Sequence, residues 1–138
     1  MSGPGLKHYD SHSSIHDAAL NEALELNDIL RTLLRDEQYE KALEVAYVAV
    51  EHWETRTLQH ADSEEEGLYK DLAEESPELK EELVALTRDH DILRLLVKQI
   101  KEKLDKEGFN NEVMQRFDAL ILVNGIHNDS EEKILPNH

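Results

Sequence analysis

The chain has 138 residues, of which 39% are apolar, and this length suits one domain with a core of its own. It contains no cysteine, which excludes disulfides, thiolate metal sites and cysteine nucleophiles. The net charge of −16 disfavours nucleic acid and anionic membrane surfaces as partners. Because we find neither a long apolar run nor the pattern of a signal peptide, we expect a cytoplasmic protein with no membrane association.

The first half of the sequence predicts two helices. The first covers roughly residues 14–35, with Ser14 as a possible cap and apolar residues spaced three and four apart. The second covers roughly residues 37–74, and its apolar face runs from Tyr39 to Trp53.

The second half predicts two more helices, over roughly residues 77–107 and 111–135. Pro77 suits the first turn of a helix, and Gly108 separates the two segments. Four helices of comparable length with short connections favour an all-α fold. We therefore predict one domain over residues 1–138, an up-down-up-down antiparallel four-helix bundle.

A segment of the second predicted helix recurs in the fourth. His60-Ala-Asp-Ser-Glu-Glu-Glu-Gly-Leu and His127-Asn-Asp-Ser-Glu-Glu-Lys-Ile-Leu share their His, Asp, Ser, both first Glu and the final Leu. Residues four apart on a helix lie one turn apart on the same face. We therefore expect His60 to converge with Glu64, and His127 with Glu131.

The first and third predicted helices each contribute a histidine followed by aspartate, at His16 and His90. In an antiparallel pair, residues at equal height lie equally far from the connecting loop. The midpoints between His90 and its partners His60 and His127 fall on the predicted breaks, so we expect the four histidines at one level. His12, one turn before His16, is the alternative ligand from the first helix.

Four imidazoles and two carboxylates inside a bundle carry a large desolvation cost unless a cation binds them. Imidazole and carboxylate ligands suit iron, manganese or zinc. Six ligands shared by two metals leave positions for a bridge and a small diatomic ligand. A metal-free scaffold, with these histidines as ordinary core residues, is the alternative. The predicted metal ligands are His16, His60, Glu64, His90, His127 and Glu131.

With these motifs the sequence resembles the hemerythrin-like, or HHE cation-binding, domains. The two repeated His-x-x-x-Glu-Glu segments carry the resemblance, which extends from His16 to Pro136. It implies a four-helix bundle with a non-haem di-iron centre. Glu64 and Glu131 would bridge the irons together with an oxo or hydroxo group, and the four histidines would be terminal ligands.

The sequence departs from the oxygen-carrying hemerythrins at two positions. Arg94 stands where they have a second histidine on the third helix, and Glu132 stands where they have an aspartate on the fourth. The four-His, two-Glu pattern is more similar to iron-centre repair proteins and to an iron-sensing F-box hemerythrin domain.

From this pattern we expect a di-iron protein that binds or senses oxygen, nitric oxide or iron, and a metal-binding protein rather than an enzyme. Zinc or manganese could take the place of iron. An iron-handling or iron-centre repair role with weak redox activity is the alternative.

Overall fold

A computed structural model of the chain describes the backbone of residues 4–135 and the side chains of residues 16–135. All regular structure in this part of the chain is helical, which confirms the predicted all-α class. A π-helical turn over Trp53–Leu58 joins α2 to α3, and a 3₁₀ turn over Pro77–Leu79 precedes α5. The α-helices are α1 (Pro4–Arg35), α2 (Tyr39–His52), α3 (Gln59–Glu66), α4 (Leu68–Glu75), α5 (Lys80–Glu107) and α6 (Asn111–Ile134).

Helix α1 begins at Pro4, well before the predicted start, so Ser14 lies inside the helix and does not cap it. Proline is tolerated in a first turn because the N–H group it lacks would have no helical partner there. After α1 ends at Arg35, Glu37 adopts a left-handed conformation with φ of 58° and turns the chain into α2.

The predicted second helix, roughly residues 37–74, is divided in the structure. The π-helical turn holds an extra residue, so the regular spacing of α2 does not continue into α3. Within this turn Thr55 donates its hydroxyl to the carbonyl of Glu51 at 2.8 Å, a bond to the residue four positions back that bends helices. A second interruption occurs at Gly67, between α3 and α4.

Two apolar clusters fill the interior. The larger one packs residues such as Trp53, Leu93 and Phe117, and the smaller one contains Tyr69 and Leu86. Along α5 the two clusters lie on either side of His90, so the histidine occupies a polar layer between them. Apolar packing above and below therefore holds this layer in place and away from water.

Helices α1, α2, α5 and α6 pack in a closed arrangement. Helix α1 contacts α2 and α6, and helix α5 contacts the same two helices. Hydrogen bonds cross these contacts. The amide of Asn27 donates to the carbonyl of Phe117 at 3.1 Å, and Tyr47 donates to Asp105 at 2.6 Å. Among the helices of residues 4–135, none combines the length and apolar character that a membrane span requires.

Candidate metal centre

The structure brings the six sequence-predicted residues together in two groups that share Glu64. Within each group one donor atom from every residue lies within 4.8 Å of the others. His12, the alternative from the first helix, belongs to the part of α1 whose side chains lie outside the described residues. One group is Glu64, His90, His127 and Glu131, and the other is His16, His60 and Glu64.

The group formed by α3, α5 and α6 is almost completely buried. The Nε2 atoms of His90 and His127 are 3.1 Å apart. His90 Nε2 lies 3.3 Å from Glu64 Oε1, and His127 Nε2 lies 3.4 Å from Glu131 Oε2. All four side chains are no more than 3% exposed, so their polar atoms face one another rather than solvent.

The group formed by α1 and α3 is looser and more exposed. His16 Nε2 lies 3.8 Å and His60 Nε2 lies 4.0 Å from Glu64 Oε2. The two imidazole rings meet edge to face with their centroids 5.1 Å apart. Their side chains are 16% and 23% exposed, so this half of the site is nearer to solvent.

The two buried carboxylates lie between the two pairs of histidines. Glu64 approaches histidines of both groups, and Glu131 lies 3.5 Å from His16 Nδ1 and 3.4 Å from His127 Nε2. Glu132, the next residue along α6, is exposed, so the inward carboxylate of this helix is the one four residues after the histidine. Each carboxylate therefore lies close to histidines of both groups.

Carboxylates behind the histidines set which ring nitrogen faces the centre. His90 Nδ1 lies 2.7 Å from Glu65 Oε2, and His127 Nδ1 lies 2.9 Å from Asp89 Oδ2. Each Nδ1 is placed to donate a hydrogen bond to its carboxylate, and in the neutral ring this tautomer directs the Nε2 lone pair to the centre. This is the arrangement of metal-binding histidines, whose second nitrogen usually donates to a carboxylate.

The donor set fits a metal cation. The two Nε2 atoms lie only 3.1 Å apart beside the carboxylates of Glu64 and Glu131, so a proton or a metal cation between them is needed to bring the rings together. A positive charge between these atoms removes the repulsion. Neutral imidazoles combined with carboxylates suit iron, manganese or zinc.

The charges around His127 also favour a positive charge at this site. Burial by itself lowers the pKa of His127, but hydrogen bonds to Glu131 and Asp89 and the charges of Glu131 and Glu64 outweigh it. The net result is a raised pKa. The centre therefore attracts positive charge at the atom that faces it.

Sequence reasoning missed Tyr69, which lies on α4 and is 4% exposed. Its hydroxyl donates to Glu131 Oε2, and its ring is parallel to the ring of His90 at a centroid distance of 5.7 Å. Burial, reinforced by the charges of Glu131 and Glu64, raises the pKa of Tyr69 far above its usual range. The phenol therefore keeps its proton and acts as a donor.

A small cavity touches the centre and has a volume of about 10 Å³. This is roughly the volume that a single water molecule needs. Arg56 and Thr57 line it from the π-helical turn Trp53–Leu58, and Asn124 and Asn128 line it from α6. π-Helical turns are frequent at functional sites, and here the turn supplies one wall of the space next to the histidines.

The helical fold and its buried layer of histidines and carboxylates place this chain among the metal-binding helical proteins. Residues 9–136 match the family described as "Hemerythrin HHE cation binding domain". Because this match covers most of the chain, the protein belongs to that family, and the resemblance found in the sequence is confirmed. No curated protein and no solved structure matches the chain significantly.

Proposed function

We propose that this protein binds two iron ions at the centre and uses them to bind or sense oxygen or nitric oxide. The observation that carries the proposal is the pair of donor groups that share Glu64. Membership of a cation-binding family supports the metal, and the donor chemistry, which suits iron, manganese or zinc, is compatible with iron.

In this proposal His16 and His60 hold one ion, and His90 and His127 hold the other. Glu64 and Glu131 would be shared by the two ions, because each lies near histidines of both pairs. Six protein ligands leave positions for an oxo or hydroxo bridge. When bound, the iron pair supplies open coordination positions and redox chemistry for a diatomic ligand.

The remaining residues of the layer prepare the site. Glu65 and Asp89 hold the protons on the outer nitrogens of His90 and His127, and Tyr69 fixes the carboxylate of Glu131. The apolar clusters on both sides limit access of water. The small cavity, about the size of one water molecule, is far too small for an organic substrate.

We also infer that the chain forms one up-down-up-down bundle. Contacts between α5 and α6 support this topology. Near the connecting loop Lys103 pairs with Glu112 at 2.7 Å, whereas far from it His90 meets His127. Such pairing, in which distance from the loop increases on both helices together, is typical of antiparallel neighbours.

The test of this function is the response of the ferrous protein to each gas. Protein loaded with ferrous iron without air and then exposed to oxygen or nitric oxide should develop new charge-transfer absorption. His90→Ala should abolish the response, whereas His52→Ala, at a mostly buried histidine outside both groups, should retain it. An iron-loaded protein whose spectrum neither gas changes would contradict the proposal.

One observation favours iron handling as a second candidate. His16 and His60 are 16% and 23% exposed, whereas His90 and His127 are each 2% exposed. An ion held by the exposed pair should be easier to release. Removal of iron by a chelator should then occur in two phases with equal amplitudes, and a single phase would exclude this role.

A further inference from the structure

Arg94 on α5 forms an ion-pair cluster at the edge of the metal centre. Its guanidinium lies 2.7 Å from Asp62 and 2.8 Å from Glu65 on α3, and 2.9 Å from Asp91 on its own helix. The side chain of Arg94 is 30% exposed, so solvent screens this cluster only in part. One cation therefore holds three carboxylates close to the site.

One oxygen atom connects this cluster to the centre. Glu65 Oε2 accepts from Arg94 Nη2 at 2.8 Å and also lies 2.7 Å from His90 Nδ1. The opposite nitrogen of the same ring, His90 Nε2, faces Glu64 and His127. A continuous chain of polar contacts thus runs from Arg94 through Glu65 to the lone pair of His90.

The second buried histidine has a different environment. His127 Nδ1 lies 2.9 Å from Asp89, and no arginine or lysine among residues 16–135 forms an ion pair with this carboxylate. The carboxylates that contact the two histidines of the buried group therefore differ as hydrogen-bond acceptors, because only Glu65 is paired with a cation. A carboxylate on the outer nitrogen makes an imidazole a stronger ligand, and a cation on that carboxylate weakens the effect.

We propose that Arg94 is a positioning residue that tunes the metal centre by withdrawing charge from Glu65 and so limiting how strongly His90 donates to its metal. This inference rests on the proposed iron function. Strong donation favours the ferric ion over the ferrous ion. Arg94 acts in the opposite sense and keeps the ferrous state accessible, which the binding of oxygen requires.

Two effects of Arg94, its positive charge and its link between α3 and α5, can be separated by substitution. Arg94→Gln removes the positive charge, whereas Arg94→Lys keeps it but loses the planar fork that joins α3 to α5. Glu65→Gln removes the negative charge while leaving an oxygen that can accept from His90. Arg31→Gln is the matched control, because Arg31 joins α1 to α6 through Asp118 at 2.9 Å and contacts none of the predicted ligands.

The measurement is the midpoint reduction potential of the iron-loaded protein, followed by its absorption. In Arg94→Gln the ratio of ferric to ferrous affinity should rise about tenfold, which lowers a one-electron potential by ~59 mV. Arg94→Lys and Arg31→Gln should stay close to the wild type. Glu65→Gln should shift the potential upward.

Equal potentials in Arg94→Gln and Arg31→Gln, or a rise in Arg94→Gln, would overturn the inference. If Arg94→Gln does not fold, Glu65→Gln decides, and an unchanged or lower potential there would also overturn it. These results would leave the iron function intact. A wild-type chain that binds no iron would instead overturn both proposals.

Discussion

At the residue scale, Glu64 is the group on which both halves of the centre depend. Replacement of Glu64 by Gln should reduce bound iron from two ions per chain to one or none, because a neutral amide is a poor bridge. The metal-free variant should be at least as stable as the metal-free wild type, because it no longer buries this carboxylate. Iron analysis and thermal melting measure the two effects.

Glu66→Gln is the control for this substitution. Glu66 is exposed on the same helix, so its loss removes an equal charge without touching the centre. Two irons retained by Glu64→Gln would rule out the bridging role.

Tyr69 provides a second test at this scale. Tyr69→Phe keeps the ring against His90 but removes the donor to Glu131. Loss of a partner beyond the ligands typically weakens metal binding 10–100-fold, and we expect an effect of that size in competition with a chelator. The control is Tyr47→Phe, whose hydroxyl donates to Asp105 on the exposed surface. Equal iron affinity of the two variants would show that Tyr69 only packs.

The sequence predicted that the six predicted ligands converge because their helical spacing and their distances from the loops can be read directly along the chain. Tyr69 and Asp89 have no such signal. Asp89 reaches His127 only because α5 and α6 lie side by side, and Tyr69 reaches Glu131 only after the chain has been redirected at Gly67. Contacts of this kind depend on packing between helices, which one sequence does not specify.

At the scale of the helices, a helix cap is a short-range contact, so its contribution to stability can be tested separately from the metal centre. The side chain of Asn110 accepts from the backbone N–H of Val113 at 3.1 Å at the start of α6. Asn110→Ala should lower the free energy of unfolding by about 1 kcal/mol, as for other capping residues. Urea denaturation of the metal-free protein measures this loss. Asn111→Ala, on the adjacent exposed residue, should change stability far less.

The ends of the helices show where the apolar periodicity of the sequence does not predict the structure. The spacing from Tyr39 to Trp53 predicted a helix that continues unchanged, but the π-helical turn inserts a residue ahead of His60. Leu58 is the only apolar residue between Trp53 and Ala61, so the apolar spacing there is too sparse to reveal the extra residue. The early start of α1 was missed for another reason, because Ser14 suits a cap but nothing between Pro4 and Ser14 prevents a helix.

At the scale of the whole molecule, the net charge of −16 opposes compaction, and a buried cluster of acids and histidines adds to the cost. Metal binding should therefore stabilise the fold. At iron concentrations about 100 times the dissociation constant each occupied site adds about 2.7 kcal/mol, which corresponds to a rise in Tm of about 10 °C per site for a domain of this size.

Calcium is the control for this stabilisation. It prefers oxygen ligands and would act on the acidic surface mainly by screening. Differential scanning calorimetry of metal-free protein with each ion separates the two effects. Equal stabilisation by calcium and ferrous iron would indicate general screening rather than a built site.

The central claim is a centre for two irons built on a shared Glu64. The most direct test is the number of iron ions per folded chain after ferrous loading without air and removal of unbound metal. We predict two irons per chain, bound without added ligand. One iron or none per chain would contradict the assignment of two overlapping donor groups.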